Sequence, residues 1–162
     1  LGLDYPAGPE IDKLSKIGDE HKFNFPLPKV EGGNISYSGT KTAFINFLQN
    51  NINENKNFID ENLHDICASI QKNLVDNLLN KVKFLAIEHN INSIIFGGGV
   101  SANSYLKNRL DYESRENNWT VFIPELQYTT DNAAMIGIAG YLKYSSSKLS
   151  DLKSTPLPRY SF

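Results

Sequence analysis

The sequence has few of the residues that build metal clusters and covalent cross-links. Its 162 residues include one cysteine and three histidines. Cys67 has no partner for an internal disulfide, which also excludes a cysteine-based zinc cluster, and we expect it to be a buried small hydrophobic side chain. His21, His64 and His89 lack the i, i+4 spacing that would set two of them on one helical face. We therefore expect surface or half-buried histidines.

Long apolar runs and a strong charge of either sign are also missing. No run approaches the roughly 18 apolar residues of a membrane span, and the first residues lack the order of a signal peptide. The net charge is −2 and the pI about 5.9, which argues against nucleic-acid or membrane binding through bulk electrostatics. We expect a cytoplasmic protein with no membrane partner, in which any nucleic-acid contact is local.

The composition predicts one globular unit. At 40% hydrophobic residues, the chain can bury one core of ordinary size. We expect that unit over residues 1–145, with a helical segment at about 58–90, and a polar tail without periodicity over 146–162. The sequence starts without Met in the motif-like stretch LGLDYPAGPEIDKL, and we expect it to be part of a longer protein.

The order of apolar patterns predicts an α/β fold. Helices and strands alternate in the second half, which favours parallel pairing with helices packed on the sheet. The predicted elements are a helix from Pro9 to Gly18, a loop over 19–33 with a short strand near Phe23 and Phe25, a strand over 34–38, a helix over 40–49, one long amphipathic helix or two with a break over 58–89, strands at 93–96 and 119–123, and helices over 101–117 and 131–145.

The stretch SIIFGGGVSANSYLKNRL places three glycines between a buried strand and a helix. Backbone N–H groups at Gly97, Gly98 and Gly99, beside a helix N-terminus, suit a phosphate or another anion. Asn103, in the first turn of that helix, offers an acceptor and two donors to a ribose or a base. The alternative is a tight turn in which Asn103 only caps the helix.

Two further segments contain candidate ligands. Asp131 follows two threonines at a predicted helix start, where it is either an N-cap or a hard oxygen ligand for a metal ion. The stretch SYSGTKTA places Lys41 after a glycine, but its glycine pattern and length do not match a Walker loop. One carboxylate alone makes no metal site.

Taken in order, five motifs resemble the C-terminal half of the TsaD family. These motifs are LGLDYPAGPEIDKL, SYSGTKTAF, DICASIQ, GGGVSANSYLKNRL and VFIPELQYTTDNAAMIGIAGY. The family comprises tRNA threonylcarbamoyltransferases once described as O-sialoglycoprotein endopeptidases. The resemblance implies an actin-like (ASKHA) ATPase fold of two lobes, in which this chain supplies mainly the C-terminal lobe, with a mixed sheet and packed helices.

The resemblance also implies a reaction and its partners. Members transfer a threonylcarbamoyl group from threonylcarbamoyl-AMP to the exocyclic amine of the adenosine 3′ to the anticodon in tRNA. Bacterial members act with TsaB-like and TsaE-like proteins. Lys72, Lys81 and Lys83 are candidates for phosphate contacts with tRNA, although a solvated helix face is the simpler interpretation.

Site residues follow from the matching motif positions. Gly8, Asp12 and Asn103 match positions where the family contacts the nucleoside of the adenylate. Asp131 matches the carboxylate ligand of the family's iron or zinc ion, which would act as a Lewis acid.

The sequence also departs from the family. Ala7 replaces one glycine of the usual pair, and Thr40 replaces an aliphatic residue. The histidine pair that completes the metal site does not occur in this chain, so we expect the chain alone to be inactive. No residue is a convincing general base, and that role stays unassigned.

Two other functions fit part of the pattern. An ATP-dependent small-molecule kinase of the same fold would explain the glycine turn but would leave Asp131 without a metal role. A non-catalytic partner like the TsaB paralogue would be expected to have lost the glycine turn and the carboxylate, yet both are present.

Overall fold

The computed structural model describes residues 1–26, 30, 32, 34–151 and 153–155. The remainder of the predicted tail and parts of the predicted loop over 19–33 lie outside these residues. Within the described range, no helix is both long and apolar enough to cross a membrane. The elements are α1 (Ala7–Leu14), a 3-10 turn (Ser15–Ile17), α2 (Tyr37–Glu54), α3 (Phe58–Glu88), β1 (Ser93–Ile95), a 3-10 turn (Gly99–Ala102), α4 (Ser104–Asn117), β2 (Thr120–Phe122), a 3-10 turn (Leu126–Tyr128) and α5 (Ala133–Ser145).

Helix α3 is the centre of the fold and runs as one unbroken helix of 31 residues. The sequence left open whether it was one helix or two. Its apolar residues recur at helical spacing, and those on the inner face are buried, including Ile66 and Cys67 at 0% exposure. The burial of Cys67 confirms its expected role as a core residue.

The end of the 3-10 turn that follows α1 packs closely on α3, because Gly18 has no side chain there. A Cβ atom at Gly18 would lie 2.1 Å from the backbone oxygen of His64, well inside van der Waals contact. The loop that follows is tied to the same helix: Asp65 accepts hydrogen bonds from the Asp19 backbone (2.8 Å) and from the Lys22 ammonium (2.7 Å). Gly18 and Asp65 are therefore two of the features that hold α1 and the following loop against α3.

The predicted parallel pairing is confirmed. Strand β1 pairs with β2 in parallel register, Ser93 opposite Thr120 and Ile95 opposite Phe122. Helix α4 connects the two strands, as a parallel pair requires. Its buried Leu106 and Leu110 pack on α3, so the sheet and α3 share one core.

The N-terminal half of the structure differs from the sequence-based expectations. The strand predicted over 34–38 is wrong, because Tyr37 already begins α2. The helical spacing of Thr40, Phe44 and Phe47 places these residues on one face, and the two phenylalanines pack at ring distances of 5.3 and 5.1 Å from Phe25. This packing favours helix over a short alternating strand.

The sheet is also smaller than expected. The predicted strand near Phe23 and Phe25 is irregular backbone whose aromatic side chains join the cluster on α2. In place of a mixed sheet, the described residues contain a two-stranded parallel sheet.

Two parts of the structure, the sheet and α5, expose apolar residues. Ile95 and Phe122, a paired position of the sheet, are 78% and 54% exposed. Helix α5 has no buried residue, although it contains Met135, Ile136, Ile138, Tyr141 and Leu142. Parallel sheets are ordinarily covered on both faces, and contiguous exposed apolar residues are typical of interfaces, so both the sheet and α5 have the composition of surfaces that pack against another element.

Candidate functional site

A cavity of about 640 Å³ lies where α1, α2, α3 and the turn before α4 meet. It is within the size range of sites that hold a nucleotide-sized ligand. Its lining residues are Gly8, Ile11, Tyr37, Ser38, Thr40, Lys41, Phe44, Ile70, Gln71, Leu74, Val75, Leu78, Val100 and Asn103.

The walls are mostly apolar, with a few polar groups placed among them. Aliphatic residues of α3 form one wall, and Tyr37 and Phe44 of α2 supply aromatic rings. Tyr37 is 45% exposed, and the partial burial of its phenol raises the phenol pKa above its ordinary value; the protonated hydroxyl can donate a hydrogen bond. Such a lining suits a flat heterocycle held by few hydrogen bonds.

The Asn103 side chain both caps α4 and lines the cavity. Its Oδ1 accepts a hydrogen bond from the Leu106 backbone N–H at 2.8 Å, which caps α4. Its Nδ2 donates to the Oε1 of Gln71, also at 2.8 Å. The capping alternative is therefore confirmed, and the same side chain still lines the cavity.

Asp12 joins α1 to the start of α4. Its two carboxylate oxygens accept hydrogen bonds from the backbone N–H (3.0 Å) and the hydroxyl (2.9 Å) of Ser104. A carboxylate at a helix N-terminus is also favoured by the helix dipole. Asp12 lies beside the cavity and is not among its lining residues, so here it holds together the two elements that contribute Gly8 and Asn103.

The glycine turn leaves the sheet at the edge where both strands end. Phe96 donates its backbone N–H to the Phe122 carbonyl at 2.9 Å, one residue before Gly97. Gly98 has a φ of +81°, a conformation that glycine adopts without strain. A Cβ atom at Gly97, Gly98 or Gly99 would meet no described atom within 4 Å. Packing within the described structure therefore requires glycine at none of the three positions.

Asp131 lies in the chain between the 3-10 turn Leu126–Tyr128 and α5. It is exposed, and Asn132 is the residue that caps α5, by accepting from Met135 N–H at 2.8 Å. The N-cap alternative for Asp131 is wrong. Within the described part of the chain, no group of three or more His, Cys, Asp or Glu side chains could hold a metal ion. Asp131 is thus one accessible oxygen ligand and not a site.

The structure brings together only some of the predicted residues. Gly8 and Asn103, distant in sequence, line one cavity, whereas the glycine turn contributes only through the adjacent Val100. Asp131 lines no part of the cavity. Sequence patterns do not single out the aromatic and polar residues of α2 or Gln71 of α3, because their only signal is a helical period and SYSGTKTA does not match a Walker loop.

The three lysines proposed for phosphate contacts are engaged within the chain. Lys72 pairs with Asp76, and Lys83 lies 3.5 Å from Glu113. Lys81 donates to the carbonyls of Val30 (3.0 Å) and Gly32 (2.7 Å). These contacts favour a structural role for all three.

Comparison with known proteins identifies a family. The family model described as TsaD, tRNA N6-adenosine threonylcarbamoyltransferase, matches residues 1–138. Proteins of that name from Christiangramia forsetii and Thermosipho africanus are each 46% identical over 162 residues, covering 100% and 98% of this chain and 48% and 47% of the relative. A third, from Riemerella anatipestifer, is 43% identical over 98% of this chain and 46% of its own length. The chain therefore spans about half the length of the curated relatives it matches.

Proposed function

The chain belongs to the TsaD family, the tRNA N6-adenosine threonylcarbamoyltransferases, and from this premise we propose that it forms the adenylate-binding part of such an enzyme. The complete enzyme would transfer a threonylcarbamoyl group from threonylcarbamoyl-AMP to the exocyclic amine of the adenosine 3′ to the anticodon in tRNA. AMP would be the leaving group. Because its acceptor is tRNA, we place the reaction in the cytoplasm.

One observation supports this proposal most strongly. Gly8 and Asn103, the matched positions for contact with the nucleoside, line the same largely apolar cavity. A Cβ atom at Gly8 would meet no described atom within 4 Å, and Gly8 is not a position of positive φ. A glycine that neither packing nor backbone conformation requires is accounted for by a ligand that approaches the main chain.

The other matched residues have supporting roles in the proposal. In it, the nucleoside occupies the cavity and the N–H groups of residues 97–99 face the phosphate, beside the start of α4. Asp12 positions Ser104 at that helix start through its two hydrogen bonds. The phenol of Tyr37 and the hydroxyl of Ser38 are available for polar contacts with the sugar or base.

A metal ion is part of the proposal only through Asp131. Its carboxylate is exposed and has no hydrogen bond or ion pair within the described residues, so it fits the role of one oxygen ligand for iron or zinc. The remaining ligands, a histidine pair in the family, would come from outside this chain. When bound, the ion would supply Lewis-acid stabilisation of negative charge.

We further propose a two-lobed actin-like architecture in which this chain is mainly the C-terminal lobe. In this proposal the exposed apolar residues of the sheet and of α5 are where the other lobe would pack. TsaB-like and TsaE-like proteins are the proposed bacterial partners. Without the other lobe, Asp131 would be the one proposed metal ligand among the described residues, and we expect no transferase activity from the chain alone.

The test is a chimera in which this chain replaces the aligned segment of the Christiangramia forsetii relative. Threonylcarbamoyl transfer to an adenosine-containing anticodon loop is measured by mass spectrometry of the digested tRNA. We expect the chimera to be active, Asp131→Ala to lose metal and turnover, and Asn103→Ala to raise KM for the adenylate. Full activity and metal content in both variants would overturn the assignment of these residues.

A further inference from the structure

The Gln71 side chain links Asn103, at the start of α4, to Ser15, which follows α1. It stands on α3, is 6% exposed and lines the cavity. On one side its Oε1 accepts from the Nδ2 of Asn103 at 2.8 Å. On the other its Nε2 donates to the Ser15 hydroxyl, also at 2.8 Å, and that hydroxyl donates to the Asp12 carbonyl at 3.0 Å.

These contacts fix the orientation of two amide groups. The Ser15 hydroxyl already donates to a carbonyl, so it accepts from Gln71, and the carbonyl end of Gln71 must face Asn103. Asn103 in turn uses Oδ1 to cap α4 and presents Nδ2 to Gln71. One N–H of that Nδ2 and one lone pair of Oδ1 remain for a ligand. Reversing the Gln71 amide would set two N–H donors against each other, and reversing the Asn103 amide would set its oxygen against the Gln71 Oε1.

We propose that Gln71 is a positioning residue for nucleoside recognition. By accepting from one N–H of the Asn103 amide, it leaves the other N–H and one lone pair of Oδ1 for the ligand, and through Ser15 it links Asn103 to the end of α1. This inference rests on the proposed function, because it assumes that Asn103 contacts the nucleoside. Gln71 acts through Asn103 and takes no part in the chemical step.

An apolar substitution and a conservative one separate positioning from packing. Gln71→Met keeps nearly the same volume but removes the acceptor for Asn103 and the donor for Ser15. Gln71→Glu keeps an acceptor for Asn103, and the Ser15 hydroxyl can turn to donate to the new carboxylate. Adenosine is the probe because it is uncharged, so the added negative charge of Gln71→Glu does not repel it.

The matched control is Ser69→Ala on the same helix. Ser69 is 1% exposed and also bridges two backbone groups, since its hydroxyl accepts from Phe23 N–H and donates to the Asp19 carbonyl, both at 3.2 Å. It does not line the cavity. We expect Ser69→Ala to lower the melting temperature and to leave the Kd for adenosine within twofold of the wild type.

The experiment measures adenosine affinity and transfer kinetics of the chimera described above. We expect Gln71→Met to weaken adenosine binding about five- to tenfold, the effect of about one lost hydrogen bond. In Gln71→Met, KM for the adenylate should rise by a similar factor while kcat stays within twofold of the wild type. In Gln71→Glu, the Kd for adenosine should stay within threefold of the wild type. Melting curves for each variant confirm that the compared proteins are folded.

Several results would count against the proposal or the site on which it rests. Unchanged adenosine affinity in a folded Gln71→Met, or equal losses in the Met and Glu variants, would overturn the positioning role. If Gln71→Met does not fold, a loss of affinity in folded Gln71→Glu as large as that in Asn103→Ala would overturn it. A wild-type chimera that transfers the group but does not bind adenosine would contradict the proposed site itself.

Discussion

At the scale of single residues, two glycines in one segment are present for different reasons. Gly18 faces α3, where a Cβ atom would lie 2.1 Å from the His64 carbonyl oxygen. Gly8 faces the cavity, where a Cβ atom would meet no described atom within 4 Å. The sequence shows both as helix-associated glycines, and the contacts separate one required for packing from one available to a ligand.

This difference predicts opposite effects of the same substitution. Gly18→Ala should lower the free energy of unfolding by more than about 2 kcal/mol, because backbone atoms of α3 must shift. Gly8→Ala should leave stability unchanged or slightly higher, since alanine favours helix, while weakening AMP binding. Chemical denaturation and an AMP titration measure the two effects. Equal stability losses in both variants would contradict the assignment.

Residue-level prediction succeeded where a residue's chemistry limits its roles and failed where its surroundings decide them. A lone cysteine at helical apolar spacing is almost always core, and Cys67 is. Asn103 was predicted either to cap α4 or to serve a ligand, and its two-ended amide permits both. The sequence next to Gln71 does not distinguish it from other polar residues of a long helix, because its role depends on two residues distant in the chain, Ser15 and Asn103.

At the scale of elements, the carboxylate of Asp65 on α3 supplies a charged contact to the loop after α1, beside the hydrogen bonds of Ser69. Asp65 accepts from the Lys22 ammonium and the Asp19 backbone, and these hydrogen bonds hold its pKa below the ordinary carboxyl value. A lowered pKa in the folded state means that the stabilisation is present above the ordinary carboxyl range and is lost as pH falls through the folded value.

Asp65→Asn should therefore lower stability at neutral pH and matter less in acid. The asparagine keeps an acceptor for the Asp19 N–H but loses the ion pair, so we expect a loss of about 1 kcal/mol at pH 7 that shrinks below about pH 4. Denaturation at several pH values measures it. Lys22→Gln is the control, since Asp65→Asn should show little further pH dependence in that background. A pH-independent loss would show that the carboxylate's charge does not matter.

Element prediction followed the strength of the periodic signal. Helix α3, the β1–α4–β2 unit and α5 each have a clear repeat or strand-to-helix change, and all were found. The segment over 34–38 has only two apolar residues in alternation, too few to outweigh the helical face of Thr40, Phe44 and Phe47 that begins within it. The extent of the sheet was not predictable, because strand partners need not lie in the chain at hand.

At the scale of the whole molecule, the exposed apolar residues of the sheet and of α5 support the proposal of a second lobe. A parallel pair with Ile95 and Phe122 exposed is unusual when it stands alone. Asp131, the proposed metal ligand, lies just before α5. In the proposal, joining the other lobe would cover these apolar residues and bring further ligands towards Asp131, while the cavity of Gly8, Gln71 and Asn103 is already formed within this chain.

The measurement that tests this account most directly is a methyl NMR spectrum of the chimera with isoleucine, leucine and valine labels, recorded as AMP is added. Shifts are predicted at Ile11, Leu74 and Val100, which line the cavity, and not at Ile59 or Leu149, which do not. AMP binding that leaves the cavity methyl groups unmoved, or that shifts only groups outside it, would contradict the claim that this cavity holds the nucleoside.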